Sequence, residues 1–219
     1  MALTKSIDFL QEIKPNNNKE WMQANKPAYL LARDEFIEFT STLIRQMALI
    51  DETLLDLEAK SCVFRINRDI RFSKDKSPYK SNFGLFLSEG GKKSGNVGYY
   101  FHLEPGDQSF IAGGIYSPES ERLAMIRQEI DYNPEPLKKI ADHPSFQRLF
   151  GAIQGDTLKR APKGYPEDHP NINLLKLKDL IVIHHVSDES IHNWKSPEYV
   201  FSVFREIKPM NDYINIAIS

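Results

Sequence analysis

Cysteine is nearly missing from this chain. Cys62 stands alone in 219 residues, so no intramolecular disulfide can form and a four-cysteine zinc site is excluded. A lone thiol favours a reducing compartment, and the cytoplasm is the expected location. Long apolar runs are missing too. Runs such as Leu180 to Ile183 fall far short of the ~20 residues a membrane span needs. Asp8 and Glu12 interrupt the N-terminal stretch that a signal peptide would keep apolar, so no membrane partner is expected. An excess of positive charge is also absent: 28 Lys and Arg face 30 Asp and Glu, for a net charge of −2. A bulk nucleic-acid binder is usually strongly basic. The chain carries no P-loop, no glycine fingerprint of a dinucleotide fold, no G-x-S-x-G and no H-E-x-x-H. These absences name no cofactor and no metal.

What is present is an ordinary globular composition, with 41% hydrophobic and 26% charged residues. Thirteen Phe, nine Tyr and two Trp stock a core. A single domain over 1–219 is expected, with a helical segment over 1–60 packed on an α+β body over 61–219. Ile7, Phe9, Leu10 and Ile13 have helical spacing, and Lys14-Pro15-Asn16 breaks it. A short helix carrying Trp21 follows. A longer one runs from Pro27 to Leu49, with Leu30, Leu31, Phe36, Phe39, Leu43, Ile44 and Met47 as its expected buried face.

The centre reads as strands. Cys62 to Phe72 alternates, with Arg65, Asn67, Asp69 and Arg71 on one side and Arg68 falling on the apolar side. Asn82–Ser88, Gly98–Glu104 and Gln108–Tyr116 follow, punctuated by Gly90-Gly91 and Pro105-Gly106-Asp107. Short Gly/Pro punctuation favours hairpins and a mainly antiparallel meander. Ser117-Pro118-Glu119 is a helix start, with the serine as cap. Leu180–Val186 is a last strand. Pro197–Ile207 is a helix, with a break at Pro209. Helices, then strands, then helices make the class α+β.

Charge is uneven along the chain. Between Lys60 and Lys80 there are seven basic and two acidic residues, a local net of +5 that leaves −7 for the remainder. Such asymmetry fits a focused anion site on an otherwise acidic protein. Arg65, Arg68, Arg71, Lys74, Lys76 and Lys80 are its candidate ligands. An arginine fork matches a carboxylate or phosphate bidentately. The competing reading pairs Asp69 and Asp75 with these arginines and leaves a solvated edge.

A second basic segment, Leu158 to Pro170, adds Lys159 and Arg160, and its Asp168-His169 is a candidate acid/base pair. Against that, Asp168 would only cap the next helix. Tyr100, His102 and Glu104 alternate, and so share one strand face. His and Glu at that spacing can share a proton or contribute to a metal site, but two ligands do not make one. An ordinary polar pair is the plainer reading. Cys62 heads an apolar face, where buried thiols are inert.

The segments R-F-S-K-D-K-S-P-Y-K, G-Y-Y-F-H-L-E-P, G-G-I-Y-S-P and L-K-R-A-P-K-G-Y-P-E-D-H-P occur in this order, after N-N-N-K-E-W and N-K-P-A-Y. Together they resemble the signatures of the domain of unknown function family 2461, a mostly bacterial group, over about Ile7 to Ile207. The resemblance implies an intracellular α+β protein and carries no assigned activity, cofactor or catalytic residue. Its polar signature positions, among them Arg71, Lys74, Lys80, His102, Glu104, Lys159, Arg160, Asp168 and His169, coincide with the candidates above.

Three functions follow. In the first, a pocket protein or enzyme holds a phosphorylated or carboxylated small molecule. Arg65, Arg71, Lys74 and Lys80 would grip the anion, and His102 or His169 would move protons, oriented by Glu104 or Asp168. In the second, less favoured, the strip binds nucleic acid and Phe72, Tyr79 or Phe83 stacks on bases. In the third, the strip faces an acidic protein without catalysis. An anionic small molecule is thus the expected partner, and the sequence sets no oligomeric state.

Overall fold

In the computed structural model, residues 3–193 and 197–219 are described. The helices among them are α1 (Thr4–Ile13), α2 (Lys19–Ala24), α3 (Lys26–Met47), α4 (Ala59–Cys62), α5 (Ser120–Tyr132), α6 (Glu135–Ala141), α7 (Pro144–Phe150), α8 (Ile172–Leu175), α9 (Asp188–Asn193) and α10 (Glu198–Ile218). The strands are β1 (Phe83–Leu87), β2 (Gly98–Leu103), β3 (Ser109–Ile115) and β4 (Leu180–Val186). They pair in the order β1-β2-β3-β4 as an antiparallel meander, and the class is α+β. No helix among the described residues is long and apolar enough to cross a membrane.

The chain clusters into two compact units. The first holds Met1–Leu87, Tyr100–Ile111 and His185–Ser202; the second holds Ser88–Tyr99, Ala112–His184 and Val203–Ser219.

In the first unit, α1 starts at Leu3, which offers no side-chain cap. The Glu35 carboxylate of α3 supplies one instead, accepting from the Ser6 N–H at 2.8 Å and from the Ser6 hydroxyl at 2.7 Å. This satisfies amides that a helix start leaves orphaned. Phe9 from α1 and Phe36 and Phe39 from α3 meet Phe83 of β1 and Phe101 of β2, with ring centroids 5.4–6.3 Å apart. Such rings supply most of the apolar area a small unit can bury. Because side chains alternate along a strand, burying Phe101 and Leu103 under the helices turns Tyr100, His102 and Glu104 to the other face. Leu30 and Leu31, expected inside, are exposed on α3. The buried stripe of that helix comprises Ala32, Phe36, Phe39, Thr40, Leu43, Ile44 and Met47.

The strand expected over Cys62–Phe72 does not form. Cys62 ends the short helix α4, and only Val63 and Asn67 make isolated antiparallel bridges, to Leu85 and Tyr79. The alternation is partial: Cys62 and Ile66 are buried and Arg65 and Asn67 exposed, but Val63 is buried as well, and backbone pairing ends at Arg68, whose N–H donates to the Pro78 carbonyl at 3.0 Å. From Arg68 onward, Arg68, Arg71 and Lys76 bond within their own loop.

In the second unit, Tyr99 packs on Phe204 of α10 with centroids 5.2 Å apart. The break expected at Pro209 is absent, because α10 continues to Ile218. Met210, Asn211, Tyr213 and Ile214 beyond the proline are buried, and that burial outweighs the lost backbone bond. Ser117 does not cap α5, whose N-cap is Glu119. Instead the Ser117 N–H donates to the buried Asp179 carboxylate at 2.6 Å, and the Asp156 N–H donates to its other oxygen at 3.1 Å.

Candidate acid-base cleft

The site is built on the outward face of β2. His102 Nε2 lies 2.8 Å from Glu104 Oε2, and His102 Nδ1 lies 3.0 Å from the Tyr100 hydroxyl. The Ser81 hydroxyl donates to the second Glu104 oxygen at 2.8 Å. Tyr100 and His102 on β2 and Glu104 just past its end sit at every second residue, and Ser81 stands just before the neighbouring strand β1. The imidazole is 13% exposed and the Glu104 side chain 21%. Phe110 stacks on the imidazole, 4.7 Å between centroids and 12° between planes.

Glu104 is held from behind as well, since its N–H donates to Ser109 Oγ at 2.9 Å and its carbonyl accepts from the same hydroxyl at 3.0 Å. An ionised carboxylate can only accept hydrogen bonds. With Ser81 donating to one oxygen, the other takes the Nε2 proton of His102. Nδ1 is then an acceptor for the Tyr100 hydroxyl. Burial, and next the Glu104 charge, push that hydroxyl up to about 12. Tyr100 therefore carries its proton at neutral pH.

The chain opens into a cleft of about 430 Å³, lined among others by Arg68, Asp69, Lys80, Ser81, Tyr100 and His102. The Lys80 ammonium also lies over the Phe64 ring, 5.6 Å from its centroid. Asn17 holds the loop that carries these cations: its amide donates to the Tyr79 carbonyl at 2.9 Å, and its oxygen accepts from the Tyr79 N–H at 3.1 Å.

The remaining candidates of the basic strip have other company. Arg71 forks onto Asp69 through Nε at 2.9 Å and Nη2 at 2.6 Å, lowering the aspartate and raising the guanidinium. Arg68 pairs with Asp75, and Ser77 donates to the same carboxylate through hydroxyl and N–H. The Ser77 bonds first, then Arg68, hold Asp75 down to about 2. Lys76 donates to the Ile70 carbonyl at 2.9 Å. Arg65 and Lys74 are exposed. The aspartate pairing weighed from sequence is thus present, while Arg68 keeps a place on the cleft wall, its side chain 28% exposed.

Lys159, Arg160, Asp168 and His169 belong to the second unit. His169 is not paired with Asp168. Its Nε2 meets Asp131 of α5 at 2.9 Å, and its Nδ1 accepts from the Asn171 N–H at 3.1 Å. Nor does Asp168 cap α8, whose N-cap is Asn171. Lys159 and Arg160 are exposed. Among the described residues no group of three or more His, Cys, Asp and Glu is placed to hold a metal ion. Sequence reading missed Ser81 and Asn17 as site-building residues. Both act on groups far along the chain, which only folding reveals.

A model of a family described as conserved hypothetical protein (DUF2461) matches residues 5–213. The chain belongs to this family. No curated protein and no solved structure matches it.

Proposed function

We propose that this DUF2461 protein is a pocket protein, and an enzyme of the acid-base type, for a phosphorylated or carboxylated small molecule. One observation carries the reading: a histidine oriented by a hydrogen-bonded carboxylate opens into the same cleft as a lysine and an arginine. The cations would hold the anionic group and set the ligand in place, where positioning makes a proton transfer efficient. His102 is the proton carrier and Glu104 its orienting partner. Lys80 and Arg68 are the anion ligands closest to hand, with Arg65 and Lys74 as outer attraction. The cytoplasm, expected from the lone cysteine, is part of the proposal.

A thermal-shift panel of inorganic phosphate, sugar phosphates, dicarboxylates and nucleotides tests it. A ligand at about 100 times its dissociation constant adds about 2.7 kcal/mol. For a chain of this size that raises the melting point by about 5–10 °C. The shift should vanish in a folded Arg68→Ala/Lys80→Ala variant. A parent protein indifferent to every anion contradicts the proposal.

A second reading, single-stranded nucleic acid, is favoured by one observation. Phe72 is 94% exposed, and the Arg71 guanidinium lies 5.8 Å from its ring centroid. An aromatic ring beside a cation is a stacking platform for a base. Oligonucleotide retardation at low salt, lost in Phe72→Ala, would favour it; absence of retardation would remove it.

A further inference from the structure

We infer that Tyr100 is the ligand-contacting group of the cleft, and that an oxyanion binds there with uptake of one proton, taken by His102 and passed on as a hydrogen bond through the Tyr100 hydroxyl. This rests on the anion-cleft reading above and names the regulation of that site.

The reasoning starts from the single proton of the hydroxyl. With His102 neutral, Nε2–H donates to Glu104 and Tyr100 donates to Nδ1. Tyr100 then offers the cleft only lone pairs, which repel an anion. When His102 is protonated, Nδ1–H donates to the Tyr100 oxygen instead. The tyrosine proton is released and can turn to an oxygen of the ligand. No bond to carbon or phosphorus is made; one proton from solvent ends on His102, and the hydrogen bonds reverse direction. Only a ligand that accepts hydrogen bonds gains from the reversal, and with Lys80 and Arg68 on the same cleft wall the site selects oxyanions.

The surroundings decide the sign. Glu104, on the same strand, favours the imidazolium, and Ser81 fixes that carboxylate in place. From the loop before β1, Lys80 and Arg68 oppose a further positive charge, while Asp69 on the cleft wall favours it. Phe110 of β3 stacks on the imidazole and is apolar; His185 of β4 packs against the group through that phenyl ring, 6.2 Å between centroids. A bound anion offsets the two cations, so ligand and proton favour each other. Such coupling is reciprocal.

Gly84 makes the arrangement possible. A Cβ there would stand 2.9 Å from the Tyr100 hydroxyl oxygen, so β1 leaves room for the ring to reach His102.

Isothermal titration of the full chain with sulfate, which does not itself titrate near neutrality, measures the uptake when repeated in buffers of different ionisation enthalpy. The expected result is an uptake that approaches one proton per sulfate, with affinity rising about tenfold per unit fall in pH wherever the uptake is complete. Tyr100→Phe should keep the fold, bind sulfate more weakly and take up less than about half a proton. Glu104→Gln, which removes the charge that stabilises the imidazolium, should also lower the uptake, and serves if the first variant fails to fold. Sulfate binding with no proton uptake in the parent overturns the inference and leaves the anion cleft standing. Undiminished uptake in both variants overturns it too. Binding of neither sulfate, phosphate nor acetate overturns the cleft reading and the inference with it.

Discussion

The Tyr100 hydroxyl occupies the space that a side chain on Gly84 would need, with only 2.9 Å between the hydroxyl oxygen and a Cβ built on that glycine. The glycine has no special backbone demand; the requirement comes from its neighbour across the sheet. Gly84→Ala should therefore push the tyrosine ring off His102. A loss of about 1–3 kcal/mol is expected from overpacking. Urea unfolding gives the loss, and imidazole nitrogen shifts report the broken Tyr100 bond. An unchanged Nδ1 environment would contradict the relation.

Asn17 ties the basic loop down through two bonds to the Tyr79 backbone. Asn17→Ala should cost about 1–3 kcal/mol, at about 0.5–1.5 per bond. Amide exchange at Tyr79, whose N–H is one of the bonded groups, should quicken more than at Phe101. Uniform exchange changes would show that the loop does not depend on Asn17.

Asp179 is buried and accepts from two backbone N–H groups, of Ser117 and Asp156. Asp179→Ala leaves both donors without their acceptor, and should cost about 2–5 kcal/mol. Asp179→Asn keeps one acceptor oxygen and should cost less. Equal losses in the two variants would argue against the double cap.

Raised acidity limits at Tyr100 have a pH signature. The hydroxyl is pushed from 10.0 up to about 12 in the folded chain. A raised value means that the folded state keeps its proton longer than the unfolded one. The contribution is complete below pH of about 10 and is lost as the pH climbs toward about 12. A shift of about two units is worth about 3 kcal/mol. Urea midpoints of the parent should fall across this window more steeply than those of Tyr100→Phe. Parallel curves would place the shift elsewhere.

Most elements were legible because their signals are local. β4 occupies Leu180–Val186 as read, and the three meander strands lie within one residue of the expected ends. Helical spacing found α1 and α3. The failures come from competition that periodicity alone does not show, local in one case and distant in the other. Residues 64–72 alternate like a strand, but within the loop Arg68 pairs with Asp75, Arg71 pairs with Asp69, and Lys76 donates to the Ile70 carbonyl. Pro209 reads as a stop, yet the buried residues after it hold α10 together.

At the site, the period of two put Tyr100, His102 and Glu104 on one face, and their hydrogen bonds follow from that. Asp168-His169 looked like a pair because the residues are adjacent. Successive side chains diverge, and His169 found Asp131, 38 residues away. Ser81 and Gly84 could not be ranked without knowing which strand runs beside β2.

The most direct test of the central claim is a phosphate titration of labelled protein followed residue by residue by NMR. The amide and side-chain signals of Arg68, Lys80, Ser81, Tyr100 and His102 should move together, with one dissociation constant. Movement confined to Lys159 and Arg160, or no movement at all, would contradict an anion cleft on the outward face of β2.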